Sequence, residues 1–222
     1  MNILLAEDHR MMADGLVRLF SRRTGLHVVA TAEDGQKAVT MAFRHRPDLV
    51  IMDVNLPVLS GIEATRRIKI KHPDIRVIAL SMYSNPHFVG AMFRAGADGY
   101  VLKDAIFEEL LKAIKAVREN RRYLSPGICA RCAKGRSRTL SEEELIAELC
   151  GQETLFGRLS VRELDVLKQM SDGESTKQIA DHFKISVKTV ETHRKHICRK
   201  LNTRSIAEMT KQALREGLTF LE

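Results

Sequence analysis

The stretch Asp48-Leu-Val-Ile-Met-Asp53 sets four apolar residues between two acids. An apolar run of this length predicts a strand buried on both faces of a sheet, with Asp53 at its carboxyl end. Similar short runs occur at residues 2–6, 28–30, 76–81 and 99–102, and helical stretches separate them. Strands that alternate with helices predict a parallel sheet covered by helices on both faces, with right-handed crossovers.

Polar and charged residues stand where these strands end: Glu7 and Asp8, then Asp53, Ser81 and Lys103. In open α/β sheets, ligands bind outside the carboxyl ends of the strands, so these five side chains should meet at one edge. Three neighbouring carboxylates repel one another, and a hard divalent cation with oxygen ligands relieves that repulsion. The sequence therefore predicts a Mg²⁺ site at this edge.

Residues 1–122 resemble the receiver domain of a two-component response regulator. The matching residues are the acidic pair Glu7-Asp8, the phosphoacceptor Asp53, Pro57 and Gly61 at the usual offsets, Ser81, Tyr100 and Lys103. Asp104 departs from the pattern, since many receivers have proline there. The resemblance implies a doubly wound, flavodoxin-like sheet of five parallel strands in the order 2-1-3-4-5.

The resemblance also implies a mechanism. Asp53 would take a phosphoryl group from the phosphohistidine of a sensor histidine kinase, with Lys103 neutralising charge. The metal ligands would be Asp8 and Asp53 directly, Glu7 through water, and Asn55 by its carbonyl. Ser81 would donate to the phosphoryl group and leave room for Tyr100 to rotate inward as a switch. The alternative for Tyr100 is a ring half-buried on the last strand.

Residues 123–157 read as a linker, opened by the turn residues Ser125-Pro126-Gly127. Ser141-Glu-Glu-Glu144 is a capping box that predicts a short helix within it. Cys129, Cys132 and Cys150 raise the alternative of a zinc or redox site. A four-ligand zinc site normally has a second pair, and no histidine lies between residues 88 and 181. We therefore expect a tether with ordinary thiols.

Residues 158–222 predict a small all-α domain of four helices. Capping boxes begin at Ser160 and Ser205, Ser175 or Thr176 can cap a second helix, and Ser186 can cap a third that runs to about Leu201. Two helices joined by a short turn form a helix-turn-helix, whose second helix enters the major groove of DNA.

The third helix of this domain carries the predicted DNA contacts. Seven basic residues against Glu191 alone lie within residues 184–204, a charge suited to phosphates. We expect Lys195, Glu191 and Thr192 to read bases, and Lys188, Arg194 and Lys200 to contact phosphates. The full predicted set is Lys188, Thr189, Glu191, Thr192, Arg194, Lys195, Arg199 and Lys200. The alternative is a basic surface helix without base readout.

Residues 159–216 resemble the LuxR-type helix-turn-helix, through Leu159-Ser-Val-Arg-Glu163, Lys177-Gln-Ile-Ala180 and Lys188-Thr-Val190 among other stretches. Together with a receiver, this is similar to the NarL/FixJ family of response regulators and close to its GacA/UvrY-like members. The resemblance implies a transcription factor that binds double-stranded promoter DNA at an inverted repeat as a homodimer formed on phosphorylation. Ile206, Met209 and Ala213 would supply the dimer contact, and RNA polymerase is a further candidate partner.

Composition excludes several other classes of protein. The chain has 222 residues, 44% hydrophobic and 29% charged, with a net charge of +8, which excludes a disordered or collagen-like chain. No apolar run approaches a membrane span, and Glu7 and Asp8 come too early for a signal peptide. Four cysteines are too sparse for a disulfide scaffold. We expect a cytoplasmic protein without membrane partners.

Two other functions remain open. A Mg²⁺-dependent phosphohydrolase of haloacid-dehalogenase type also uses an aspartate at a strand end, but it needs a second carboxylate two residues on, where this chain has Asn55. A regulator that binds DNA without phosphorylation would use the receiver only for dimerisation. The complete set Asp8, Asp53, Ser81 and Lys103 argues against that. We therefore expect no turnover of a separate substrate, beyond hydrolysis of the chain's own phosphoryl group.

Overall fold

The computed structural model describes residues 1–104, 107–133, 140–151, 159–203, 205 and 207–209. The chain divides into two compact units, Met1–Gln152 and Glu153–Glu222. None of the described helices is long and apolar enough to cross a membrane.

The first unit is built on a parallel sheet with helices on both faces. Its strands are β1 (Asn2–Ala6), β2 (His27–Ala32), β3 (Leu49–Asp53), β4 (Arg76–Ser81), β5 (Gly99–Leu102) and β6 (Tyr123–Leu124). Its helices are α1 (Arg10–Ser21), α2 (Gly35–His45), α3 (Gly61–Lys71), α4 (Pro86–Arg94), α5 (Phe107–Arg118), α6 (Pro126–Ala133) and α7 (Glu142–Gly151). The strand order is β2-β1-β3-β4-β5-β6, and every neighbouring pair is parallel.

Alternation along the buried strands produces two cores, one on each face of the sheet. Ile3, Leu5, Leu49 and Ile51 pack with Leu16 and Phe20 of α1 and Leu110 and Ile114 of α5. Leu4, Val50, Met52 and Val77 pack with Val39 and Ala42 of α2 and Ala64 and Ile68 of α3. Burial on both faces explains why β3 reads as a continuous apolar run.

The predicted order 2-1-3-4-5 is confirmed, but the sheet has six strands where five were expected. The added strand is β6, in which Tyr123 pairs with Gly99 and Leu124 with Tyr100. Two residues are too few to show the alternation that predicts a strand. The backbone N–H of Ser125 extends the pairing by donating to the carbonyl of Tyr100 at 3.0 Å.

The first unit extends beyond residue 122, where the sequence analysis placed the end of the receiver. Leu124 and Ile128 are fully buried, and α7 packs against α4 and β6. The predicted capping box of α7 is confirmed, because Ser141 Oγ accepts from the N–H of Glu144 and Glu144 Oε2 accepts from the N–H of Ser141. Much of the segment expected to be a tether is therefore folded.

Cys150 and Cys198 are free thiols. The cluster of metal-ligating side chains found in the described part of the chain contains no cysteine. The side chain of Cys132 lies outside the described residues.

The second unit contains α8 (Val161–Ser171), α9 (Thr176–Phe183) and α10 (Val187–Leu201). The predicted capping box Ser160–Glu163 is confirmed, and Ser175 rather than Thr176 caps α9. Ser186 caps α10 as predicted. Ser205 Oγ accepts from the N–H of Glu208 at 3.3 Å, at the start of the expected fourth helix. Most of that helix lies outside the described residues.

Candidate functional site

Lys103 joins two buried acids at the carboxyl edge of the sheet. Its Nζ lies 2.7 Å from Oδ2 of Asp53 and 2.9 Å from Oε1 of Glu7. The side chains of Glu7, Asp53 and Lys103 are 0%, 4% and 7% exposed. Ser81 belongs to the same edge, since its carbonyl accepts from the N–H of Lys103 at 2.8 Å. The topology thus brings together residues that are up to 96 positions apart in sequence.

Burial and charge act against each other at Asp53. Burial raises the pKa of the Asp53 carboxyl, while Lys103 and the N–H of Asn55 lower it, and the net shift is upward. Burial lowers the pKa of Lys103, but Asp53 and Glu7 outweigh it and the net shift is again upward. Lys103 therefore stays a cation, and it is the main partner for the negative charge at Asp53.

Four side chains at this edge could share a metal ion. Glu7, Asp8, His9 and Asp53 each offer one ligand atom, and these atoms all lie within 4.8 Å of one another. Oε2 of Glu7 is buried and accepts no hydrogen bond from the part of the chain that the structure describes, although Lys103 Nζ lies 2.8 Å from it as an ion pair. A buried carboxylate oxygen with spare capacity, among further carboxylates, fits a hard cation such as Mg²⁺.

His9 is the member of this cluster that the sequence analysis missed. Its Nδ1 lies 2.9 Å from Oδ1 of Asp8 and 3.1 Å from Oε1 of Glu7. The only signal was its position directly after the acidic pair. The predicted ligand Asn55 contacts the site through its backbone N–H, which donates to Oδ1 of Asp53 at 3.0 Å.

Gly61 holds the loop after β3 close to the carboxyl end of that strand. A Cβ at this position would lie 1.9 Å from the carbonyl oxygen of Asp53. The N–H of Gly61 donates to the carbonyl of Val54 at 3.0 Å. A side chain would push α3 away from Asp53, so the residue must be glycine.

Tyr100 is fully buried, with its ring on β5 facing the end of β4. Its hydroxyl donates to the carbonyl of Tyr83 at 2.7 Å, and the N–H of Tyr83 donates to Oγ of Ser81 at 3.0 Å. Burial raises the pKa of Tyr100, which is therefore neutral. The half-buried alternative is wrong, and the ring already occupies the inward position that was expected only after phosphorylation.

In the second unit, a tight turn joins α9 to α10. Lys184 adopts a left-handed conformation, with φ of 52°, and closes α9 through its N–H. Two residues later Ser186 caps α10 by accepting from the N–H of Thr189 at 3.1 Å. Arg162 of α8 braces the turn, because its guanidinium lies 4.1 Å from the ring centre of Phe183. These contacts form a helix-turn-helix.

The predicted DNA-contacting residues of α10 fall into two groups. Exposed on one side of the helix are Lys188, Thr189, Glu191, Thr192, Lys195 and Arg199. Arg194 and Lys200 are only partly exposed and are held by the protein itself. Arg194 Nη1 donates to Oγ1 of Thr176 at 2.6 Å, and Lys200 Nζ donates to Oε2 of Glu163 at 2.6 Å. Val190, Ile197 and Leu201 form the buried face.

Of the predicted dimer residues, Met209 is 1% exposed. Its side chain is therefore covered in this conformation. Ile206 and Ala213 lie outside the described residues.

The chain matches two family models, the response regulator receiver domain over residues 3–115 and the bacterial regulatory proteins of the luxR family over residues 158–213. It is 34% identical to the oxygen regulatory protein NreC of Staphylococcus carnosus, over 98% of this chain and 99% of that protein.

The chain belongs to the NarL/FixJ family of response regulators.

Other comparisons agree with this assignment. The response regulator GacA of Pseudomonas aeruginosa is 32% identical over 97% of this chain and 96% of its own. Because NreC and GacA are about equally similar, the closer likeness to GacA/UvrY-like members stays a prediction. A LuxR-family response regulator from Aurantimonas sp. SI85-9A1 superposes with a TM-score of 0.58 at 39% identity, over 62% of this chain and 98% of that one.

The family defines the general function of this response regulator. It is a two-component transcription regulator that binds DNA through a LuxR-type helix-turn-helix and is controlled by phosphorylation, not a metabolic enzyme. Its receiver implies a histidine kinase as partner.

Proposed function

We propose that this response regulator is switched by Mg²⁺-dependent phosphorylation of Asp53 by a sensor histidine kinase. The proposal depends on one observation above all, the position of Lys103 Nζ between Asp53 and Glu7 at the meeting strand ends. Phosphoryl transfer requires mainly positioning and neutralisation of charge. A buried lysine paired with a buried aspartate supplies both.

The nucleophile is a carboxylate oxygen of Asp53. It attacks the phosphorus of the kinase phosphohistidine, so that a P–O bond forms as the P–N bond breaks and an acyl phosphate results. Lys103 neutralises charge on the transferred group, and the hydroxyl of Ser81 donates to one of its oxygens. The backbone N–H of Asn55 orients the nucleophile by donating to Oδ1 of Asp53. Hydrolysis of the acyl phosphate would return the site to its resting state.

Glu7, Asp8 and Asp53, with the carbonyl of Asn55, are the residues we assign to Mg²⁺. The close spacing of the carboxylates and the spare Oε2 of Glu7 support this set. Bound Mg²⁺ would supply charge neutralisation for the phosphoryl oxygens.

The switch begins at Ser81. Its Oγ accepts the N–H of Tyr83, whose carbonyl in turn holds the hydroxyl of Tyr100. When Ser81 turns to the phosphoryl group, this arrangement must change. Since Tyr100 is already inside, we place the movement in the loop after β4 rather than in rotation of the ring.

We further propose that the phosphorylated protein forms a homodimer on an inverted repeat in promoter DNA, with α10 in the major groove. The six predicted DNA-contacting residues that are exposed on α10 support base and phosphate contact by that face. Contact with RNA polymerase would follow from binding at a promoter. The free thiols of Cys150 and Cys198 support a cytoplasmic location.

The test is intact mass after incubation with Mg²⁺ and acetyl phosphate. We expect one phosphoryl adduct in the wild-type chain, lost when the metal is chelated. Asp53→Asn should show none, while the exposed Asp74→Asn serves as a matched control and should react like wild type. Release of phosphate without an adduct would favour a hydrolase, and no reaction under any metal condition would contradict the proposal.

A further inference from the structure

Helix α7 covers one side of α4. Its apolar residues Leu145, Ile146 and Leu149 are 5%, 0% and 3% exposed. Six residues of the nine-residue α4 are buried, including Val89, Met92 and Phe93. A surface helix of a doubly wound sheet normally buries one stripe against the sheet and leaves the rest exposed. In this chain α7 packs against the side of α4 that would otherwise face solvent.

The crossing of the two helices depends on Gly90. A Cβ at this position would lie 2.3 Å from the carbonyl oxygen of Leu149 and 3.0 Å from its carbonyl carbon. The α7 backbone thus touches the α4 backbone with no room for a methyl group. Such a contact tolerates very little relative movement of the helices.

Arg94 forms hydrogen bonds with the carboxyl end of α7. Its Nη1 lies 3.2 Å from the carbonyl oxygen of Leu149 and 3.3 Å from that of Cys150. The last carbonyls of a helix have no partners within it, and an arginine is well suited to satisfy them. Helix α7 is therefore held on α4 both by apolar packing and by the hydrogen bonds of Arg94.

A continuous set of contacts connects α4 with the phosphoacceptor edge. Ser81 Oγ accepts from Tyr83, and the ring of Tyr83 stacks on Phe88 of α4 with 4.7 Å between ring centres. The same Tyr83 holds the hydroxyl of Tyr100 through its carbonyl. Phe88 is 3% exposed and precedes Gly90 by two residues, within one turn of α4. Tyr83 thus links Ser81 to the first turn of α4.

We propose that α7 is a latch that phosphorylation opens. The inference rests on the proposed phosphorylation of Asp53 and adds its output. When the Ser81 side chain turns to the phosphoryl group, its hydrogen bond with Tyr83 is lost and Tyr83 moves. Because the ring of Tyr83 packs on Phe88, the first turn of α4 shifts as well. The contact at Gly90 does not survive that shift, and α7 detaches. Release frees the α4 surface and adds the ten residues of α7 to the connection with the second unit.

Hydrogen exchange of the full chain, read by mass spectrometry, tests the latch. Acetyl phosphate with Mg²⁺ is the phosphodonor, and intact mass from the same sample reports the adduct. We expect the amides of α7 to exchange about tenfold faster or more after phosphorylation. The amides of α2, which packs on β1 and β2 whereas α4 packs on β5, should stay unchanged, and Asp53→Asn should show no response in α7.

Two substitutions test the contact without phosphorylation. Gly90→Ala places a methyl group against Leu149 and should speed exchange in α7 to the phosphorylated level. Its matched control is Gly15→Ala in α1, where an added Cβ meets no atom within 4 Å; exchange in α7 should not change there. Arg94→Gln removes the polar fastening and should speed exchange at the end of α7.

Each contrary result overturns a different claim. A phosphoryl adduct with unchanged exchange in α7 would overturn the latch and leave the proposed function standing. Absence of any adduct would overturn the proposed function and the latch with it. If the amides of α7 exchanged at the wild-type rate in both Gly90→Ala and Arg94→Gln, the contacts with α4 would not be what holds α7 in place.

Discussion

Lys200 at the end of α10 donates from Nζ to Oε2 of Glu163 at 2.6 Å, 37 residues earlier in the chain. Glu163 also accepts from the N–H of Ser160 at 2.7 Å, as part of the capping box of α8. Burial raises the pKa of the Glu163 carboxyl, but Lys200 and Ser160 outweigh it and the net shift is downward. One carboxylate therefore caps α8 and anchors the carboxyl end of α10.

Glu163→Gln should destabilise the second unit by about 2 kcal/mol, since it removes charge-assisted hydrogen bonds from a buried group. Urea unfolding of the full chain measures this loss. The chain has three tyrosines and no tryptophan, and Tyr83, Tyr100 and Tyr123 all lie in the first unit. Circular dichroism should thus show the second unit of the variant unfolding at a lower urea concentration than in wild type. Tyrosine fluorescence, which reports only the first unit, should not change.

Gln178→Ala in the exposed capping box of α9 is the control for this substitution. It should cost about 1 kcal/mol or less, because water replaces the lost contact. An equal loss for both variants would show that Glu163 acts only as a cap. The stabilisation by Glu163 should be complete above its unfolded pKa near 4.5. It should be lost as the pH falls through the lower folded value.

Sequence spacing could not separate Lys200 from Lys195. Both are lysines of one basic helix, and both were expected to contact DNA. The partner that distinguishes them, Glu163, lies on another helix and was itself predicted only as a cap. In contrast, the caps Ser160, Ser175 and Ser186 were predictable because capping is local.

Lys195→Ala should weaken binding to the cognate site by about 1–3 kcal/mol and relax specificity at one base position. Its side chain is exposed on the free face of α10, so stability should not change. Competition titration with single-base variants of the site measures the effect. Lys200→Ala is the informative comparison, because it should lower stability first and affinity only through α10. Equal loss on cognate and random DNA for Lys195→Ala would remove its base-reading role.

Lys103→Met should destabilise the first unit by about 3–5 kcal/mol, because it leaves Glu7 and Asp53 buried without their cation. Tyrosine fluorescence during urea unfolding reports this unit. Mg²⁺ should restore more stability to the variant than to wild type, since the carboxylates no longer have a lysine. The variant should also lose most of its phosphoryl adduct.

Lys37→Met is the matched control for Lys103→Met. Lys37 pairs with Glu33 on the surface, where the two side chains are 51% and 57% exposed. Exposed pairs contribute about 1 kcal/mol or less, so this variant should unfold like wild type. A Lys103→Met variant as stable as this control would contradict the role of Lys103 as the buried counter-charge.

The residues at the carboxyl edge of the sheet could be predicted from the sequence better than the elements that follow residue 122. Glu7, Asp53, Ser81 and Lys103 were predictable because each comes directly after or at the end of a strand, and parallel topology brings such ends together. The strand β6 has only two residues, which is too few for a sequence pattern. Nothing in the sequence of α7 shows that it packs on α4. Its place on α4 depends on Gly90, whose absent side chain leaves no mark in the hydrophobic pattern.

His87 on α4 should make the first unit sensitive to acid. Burial, with a smaller effect of Arg94, lowers the pKa of its imidazole from 6.5 to about 4. Between these values the unfolded chain binds more protons than the folded one. Because of His87, the free energy of unfolding of the first unit should therefore fall by about 3 kcal/mol as the pH drops from 6.5 toward 4, and it should not change above pH 6.5.

His87→Gln should flatten the dependence of the urea midpoint on pH across this window, whereas His45→Gln, at an exposed position, should keep the wild-type slope. Asp53 acts with the opposite sign, because its raised pKa makes the folded chain bind more protons above pH 3.8. The readout is thus the difference between the two variants rather than the wild-type curve. Equal slopes in both variants would show that His87 titrates in the folded chain as it does in the unfolded one.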